Sequence, residues 1–421
     1  MRHSIKWHES ANNAAPEERA TVADLQLFVG PLNVTQHLYE GDVGNEVTVA
    51  LYGLAHGLAH DWWTIFGARD RMISLTKYRS GYLIPDLRFS FDGAAFEVQA
   101  HQRIYEKPDI RFWAGPSEVL SRAEGETWLS DFIEEILGRL RAKGLADTGA
   151  ALRWRRVQAS RRSNEAVFCE ATGALGLDPY QIDDAISDFV EKAEALFVRE
   201  PLVEFVSGAG DVDRGRLIAW VERMARGRGF NYRLANLRPL VQQVIKEEPG
   251  MPGQLQAWAT GYRRARAVRK LLSLGQSERF TSFFDLARRL GAPKNYALAP
   301  TVDGIRALRR DREDGLHVHV RNHGDSPEAS VAHLFALARG VGDAVCFPEP
   351  QGVAPINNLR AAYRQAAGRA FAAEFLAPSD EVESMREAKR DVVSIANEFY
   401  VAPLVIEHQI ENRKRILAAV A

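Results

Sequence analysis

The sequence predicts an α+β protein in three parts: a strand-rich N-terminal domain, a helical middle, and a C-terminal α+β domain. Three observations predict it. From residue 24 to about residue 115, short segments alternate apolar and polar residues or run β-branched and aromatic: LQLFVG, EVTVALY, LRFSFDG, AAFEVQAHQRIY and IRFWAG. From residue 117 to about 275 the apolar spacing becomes that of amphipathic helices. Beyond it, a short β-branched run, LHVHV, precedes Ala-rich helical stretches. A chain of 421 residues also exceeds one ordinary domain. The expected division is a flexible arm at 1–19, an α+β domain with a sheet at 20–116, a helical domain at 117–275 and an α+β domain at 276–421.

In chain order, residues 1–20 are polar and Ala/Glu-rich, the composition of a loose arm. A helix is expected over 51–66, because Leu51, Leu54, Ala55, Leu58, Trp62, Ile65 and Phe66 share one face at 100° per residue. Gly53 and Gly57, four apart, allow another backbone close to that helix. FDG supplies a turn between two strands, so 86–105 reads as a hairpin. Helices are then expected over 126–143, 150–173, from 181, and over 213–226, 235–247 and 252–274. Another lies in FTSFFDLARRLGA. The strand 316–320 is followed by a helix at 328–339, a loop CFPEPQGVAPINN, and a helix at 359–376 that Pro378 stops. Two helices, 389–399 and 403–417, close the chain.

Composition narrows the function classes. The formal net charge is −1, so no overall field favours nucleic acid or an acidic membrane. The first residues, MRHSIKWHES, lack the apolar core of a secretory signal, and no apolar run approaches the ~20 residues of a membrane span. Localisation in the cytoplasm is expected. The two cysteines, Cys169 and Cys346, are far apart and read as buried free thiols. There is no GxxxxGKS/T, no GxGxxG after a strand and no GxSxG, so ATP, dinucleotide and serine-hydrolase readings have no support. The GAGD at 208–211 is a turn.

The stretch 326–381 carries the most chemistry. A zinc peptidase of the HExxH type needs two His at i and i+4 to share a metal, with the intervening Glu as general base and a third ligand from a following helix. Four features of the C-terminal part carry a resemblance: GYRRARAVRKLL followed by FDLARRLG; the strand GLHVHV before VAHLFAL; RQAAGRAFAAEFLAPSDEV; and VVSIANEFYVAPLVIEHQIEN. Over roughly 252–421 they resemble the ImmA/IrrE family of metallopeptidase-like proteins. The resemblance implies a zincin-like α+β domain and a setting in the bacterial cytoplasm: stress response, mobile-element control, toxin–antitoxin pairs or phage defence.

The departures from that family remove its chemistry. His333 matches the first His, but Leu334 stands at the catalytic Glu, Leu337 at the second His, Gln365 at the acidic third ligand and Arg369 at the Asn of the element RQAAGRAFAAEFLAP. One ligand of three cannot hold zinc against water, and loss of the base alone costs ~10²–10⁴ in rate. The helical spacing of Val331, Leu334, Phe335, Leu337 and Ala338 makes one apolar arc, with His333 at its edge. No metal or other cofactor and no catalytic residue is therefore expected. The expected activity is that of a pseudopeptidase: a regulatory protein that binds a protein partner in a groove beside the 328–339 helix. An alternative is a zinc endopeptidase with a site rebuilt from His317, His319, His323 and His333. Glu374 could then be proposed as base, although it reads better as a helix-surface or capping contact.

His56 and His60 form a second HxxxH pair, which could bind a metal with a third ligand from elsewhere in the chain; with Gly57 at the position of a base, hydrolysis by this pair alone is not expected. Packing in a half-buried second interface is the simpler reading of the pair. Basic clusters stand at Arg153, Arg155, Arg156, Arg161 and Arg162, beside Trp154, and at Arg263, Arg264, Arg266, Arg269 and Lys270. Basic residues among aromatics can hold a nucleic-acid backbone. With a near-zero net charge and no helix-turn-helix pattern, solvated helix faces with local ion pairs are the better expectation.

Overall fold

A computed structural model describes residues 1–9, 14–227, 231–250, 256–275, 277–348 and 352–420, with backbone only for 415–420. The chain is mixed α+β, strand-rich in its N-terminal part and helical in its C-terminal part. It divides into two compact units, Met1–Ser187 and Asp188–Ala421, rather than at the expected boundaries near 116 and 275.

The first unit is built on antiparallel strands. Val22–Val29 pairs with Arg2–Trp7, in register from Arg2 opposite Phe28 to Trp7 opposite Ala23, and with Val47–Ala50. The expected arm is thus a sheet strand over residues 2–7. The alternation of His3, Ile5 and Trp7 with polar residues marks it, and an overall polar composition conceals it. The expected hairpin is present: Asp86–Phe91 pairs with Ala95–His101, and the Asp92 carboxylate accepts from the backbone N–H groups of Ala94 and Ala95 in the turn.

Helices cover these strands. The expected 51–66 helix is two, Tyr52–His60 and Trp62–Gly67, broken at Asp61. A Cβ on Gly57 would lie 2.1 Å from the Tyr78 ring, and one on Gly53 2.9 Å from the Tyr78 carbonyl, so the close approach predicted for this pair is made by the turn at Leu75–Tyr78. Arg122–Ala142 starts with a capping box of Ser121 and Glu124. Its Trp128, Phe132 and Ile136 share one continuous core with Leu25, Phe89, Phe96 and Trp154 of the Gly149–Arg161 helix. This shared core is why the residues after 116 belong to the first unit. The helix expected over 150–173 is likewise two, Gly149–Arg161 and Glu165–Ala174.

The second unit centres on one helix, Pro327–Cys346, hereafter the central helix. Ser326 caps it by accepting from the Ala329 N–H, and Pro327 takes the first turn, where a missing N–H costs nothing. It runs seven residues beyond the expected end at Arg339. Its length and composition meet those of a membrane span, contrary to the sequence expectation, but most of it is buried within the fold. An antiparallel sheet packs against it, in the order Arg233–Leu234, Gly315–Val320, Ala307–Arg312, Val353–Ile356. The last two strands and the Arg199–Ser207 helix lie where no element was expected. A Cβ on Gly340 would lie 2.5 Å from Val318, and one on Gly342 2.6 Å from the Phe371 ring. Glycine at these two positions lets the sheet and the Tyr363–Leu376 helix approach the central helix closely. Val392–Phe399 and Pro403–Val420 close the unit as expected. Parts of the expected 252–274 helix and 346–358 loop, residues 252–255 and 349–351, lie outside the described residues; Ala257–Leu271 is helical.

Candidate functional site

The four positions that resemble a peptidase site serve different structural ends. His333 projects from the central helix toward the loop after Gly315–Val320. Its Nε2 accepts from the His323 backbone N–H at 2.7 Å, so that lone pair is used and the neutral ring carries its proton on Nδ1. The His323 ring lies 5.3 Å away, centre to centre, and Phe283 meets His333 edge-on. Burial, chiefly, pulls the His333 pKa below the ordinary histidine value. Leu334 and Leu337 are 0% exposed and belong to the same core as Val318, Phe371 and Ile395. Of the predicted apolar arc, Leu334, Leu337 and Ala338 are core, whereas Val331 and Phe335 are only partly buried.

Gln365 lies with Arg339 rather than with His333. Its Oε1 accepts from Arg339 Nη2 at 2.8 Å and from the Asn357 N–H at 3.0 Å. Its Nε2 donates to Glu204 Oε2 at 2.7 Å and to the Pro355 carbonyl at 2.8 Å. A primary amide has two donors and two acceptor sites, and all four are filled. No hydrogen bond joins Gln365 to His333 among the described residues.

Around Gln365 is a buried polar core that the sequence reading did not single out. Asp343, one turn beyond Arg339, accepts two hydrogen bonds from Arg364, at 2.5 and 2.6 Å, and pairs with Arg309 Nε at 3.1 Å. Burial alone would raise the Asp343 carboxyl, but Arg364 and Arg309 outweigh it and hold it below the ordinary value. Glu204, from the Arg199–Ser207 helix, keeps Oε1 without a partner among the described residues. Burial pushes its pKa up to about 8. The available signal was a pair of charges four apart, Arg339 and Asp343, inside an otherwise apolar helix; that spacing puts both on one face. All these side chains are buried, so the cluster ties the central helix to its neighbours; of its members only Arg339 also lines the cleft described below.

Glu204 makes stability pH-dependent. Unfolded, its carboxyl titrates near ~4.3; folded, it keeps its proton to about pH 8. Its contribution is complete below the unfolded value and is lost as pH rises through the folded one. Chemical denaturation between pH 5.5 and 9 should show wild-type stability falling relative to Glu204→Gln, which cannot ionise. Parallel profiles for the two proteins would show that Glu204 is not the titrating group.

His317 and His319 stack on one face of their strand, 6.3 Å apart, and Tyr232 lies 4.2 Å from His319. They do not join His323 and His333: among the described residues no three of His, Cys, Asp or Glu are arranged to hold a metal ion. Glu374 accepts from Arg266, from the Ser379 N–H and from Gln409, a structural contact. His56 stacks on Tyr52, and His60 contacts Asp61 at 2.8 Å. Both are exposed on the Tyr52–His60 helix rather than packed in the half-buried interface expected for them.

The basic clusters are largely committed to partners within their own units. Arg153 pairs with Asp178 through two hydrogen bonds, Arg155 with Asp147 and Arg161 with Glu126, while Arg156 lies over the Tyr180 ring. Arg162 is exposed. In the second cluster Arg263 pairs with Glu248, Arg266 with Glu374 and Lys270 with Glu247. Arg264 and Arg269 are buried and donate to backbone carbonyls, so this face is less solvated than expected.

A cleft of about 310 Å³ runs along the outer face of the central helix. Val331, Ala332, Phe335 and Ala336 line it with Leu404 and Val405. Glu328 stands toward one end of that helical stripe and Arg339 at the other, with Arg306, Arg369 and His323 also in the lining. None of His333, Leu334, Leu337 and Gln365 lines it. In comparisons with models of protein families, with curated proteins and with solved structures, nothing matched this chain.

Proposed function

We propose that residues 252–421 form a non-catalytic domain derived from an ImmA/IrrE-like, zincin-type metallopeptidase, and that the protein acts in the bacterial cytoplasm by binding a protein partner. The settings that the resemblance implies are stress response, mobile-element control and phage defence. The observation that carries the reading is the use made of the site positions. Leu334 and Leu337 fill the core, His333 gives its Nε2 lone pair to a backbone N–H, and Gln365 has no free valence. The order of strand, central helix, returning strand and Ala-rich helix is in keeping with it. The partner would engage the face of the central helix that the replacements leave untouched.

The competing reading, a zinc endopeptidase, requires a metal bound through His333. Elemental analysis after chelator-free purification should find well under one zinc per chain. A mixed peptide library should survive incubation, and His333→Ala should behave as the wild type does. Stoichiometric zinc that disappears together with proteolysis in His333→Ala would overturn the proposal.

A further inference from the structure

We propose that the cleft along the central helix binds the C-terminal end of a partner polypeptide, its last apolar side chains against Val331 and Phe335 and its free carboxylate at Arg339 and Arg306. The inference deepens the protein-binding reading above and rests on it. The floor is apolar, with Leu404 57% exposed at its margin, so burying aliphatic or aromatic groups there is favourable. The charged residues are segregated. Glu328 and Arg339 are eleven positions apart on the helix, ~16 Å at 1.5 Å per residue. No carboxylate forms an ion pair with Arg306 or Arg339 among the described residues.

The basic end also holds donors without partners. Arg339 is 4% exposed, and its Nε finds no acceptor among the described residues. Burial, then the nearby Arg369 and Arg306, bring its pKa down to about 9, a charge that an anion would stabilise. His323 Nδ1 accepts from Arg306 and Arg321 at 3.2 and 3.0 Å, which leaves the ring proton on Nε2, also unpartnered. A buried guanidinium beside a second one suits a planar carboxylate. A cleft of this size holds a few residues rather than a segment running through it, which favours a chain end over an internal acidic side chain.

The test uses the full chain and a pool of short N-acetylated peptides with randomised aliphatic or aromatic C-terminal residues. The peptides are offered as free acids and as C-terminal amides. Retained peptides are identified by mass spectrometry and their affinities measured by calorimetry. Free acids should be retained and should bind about tenfold or more tightly than their amides, as expected for hydrogen bonds to a charged group. That preference should shrink with added salt. Arg306→Gln should abolish it, Arg306→Lys should keep part of it, and Val331→Asp should remove binding of both forms. Equal retention of acids and amides, an amide with an internal Asp matching the free acid, or retention of no peptide would overturn the proposal. Peptides recovered cleaved would overturn the non-catalytic reading and leave the cleft assignment standing, so the two can fail separately.

Discussion

Replacing Asp343 with Ala is expected to destabilise the second unit by about 3–5 kcal/mol, the usual cost of stranding a buried charge. Asp343 accepts from Arg364 and pairs with Arg309, and all three are buried. In water each guanidinium would be solvated. In the fold the carboxylate is the counter-ion they share, and its removal leaves two buried cations without it. Asp343→Asn keeps the shape and one acceptor oxygen and should fall between Ala and wild type. Replacing Arg309, Asp343 and Arg364 together by Met or Leu should cost less than Asp343→Ala alone, because no charge is left without a partner. Hydrogen exchange of the full chain, followed at amides of Pro327–Cys346 and Tyr363–Leu376, would measure this locally. Equal protection in wild type and Asp343→Ala would mean that the triad does not hold these helices together.

Leu337→His, which sets a second histidine four residues after His333, should be destabilising by about 3–5 kcal/mol and should not create a zinc site. Truncating a buried Leu costs ~2–5 kcal/mol, and an imidazole there adds a buried polar group without a partner, ~1–3 kcal/mol, offset by the volume that it retains. Leu337→Met, which conserves volume, should cost less than ~1.5 kcal/mol. Thermal unfolding with and without added zinc separates the outcomes. If zinc restored the stability of Leu337→His, the ligand positions would be closer to those of a working peptidase than the hydrogen bonds of His333 and Gln365 imply.

Burial of Leu334 and Leu337 was legible because helical spacing alone places them on one apolar arc. The same spacing assigned Val331 and Phe335 to that arc as well. They line the cleft instead, where the neighbours of the central helix leave its N-terminal half partly uncovered. The helix carrying Glu204 and the strand Ala307–Arg312 went unread for a related reason. ALRRDR has the composition of a loop, and Arg309 becomes buried only because Asp343, from another element, meets it. The strand at Arg2–Trp7 was missed because pairing with Val22–Val29, not composition, orders it.

By itself the sequence determined the α+β class, a hairpin within 86–105 and a helix beginning near 328 with Leu334 and Leu337 on its apolar arc, because each depends on local spacing and residue type. Only the tertiary structure decided the division into two units, the pairing of Gln365 with Arg339 in place of His333, the shared counter-ion at Asp343 and the charged end of the cleft. Those depend on which side chains from distant segments are buried together, and a buried polar group takes whichever partner the packing supplies.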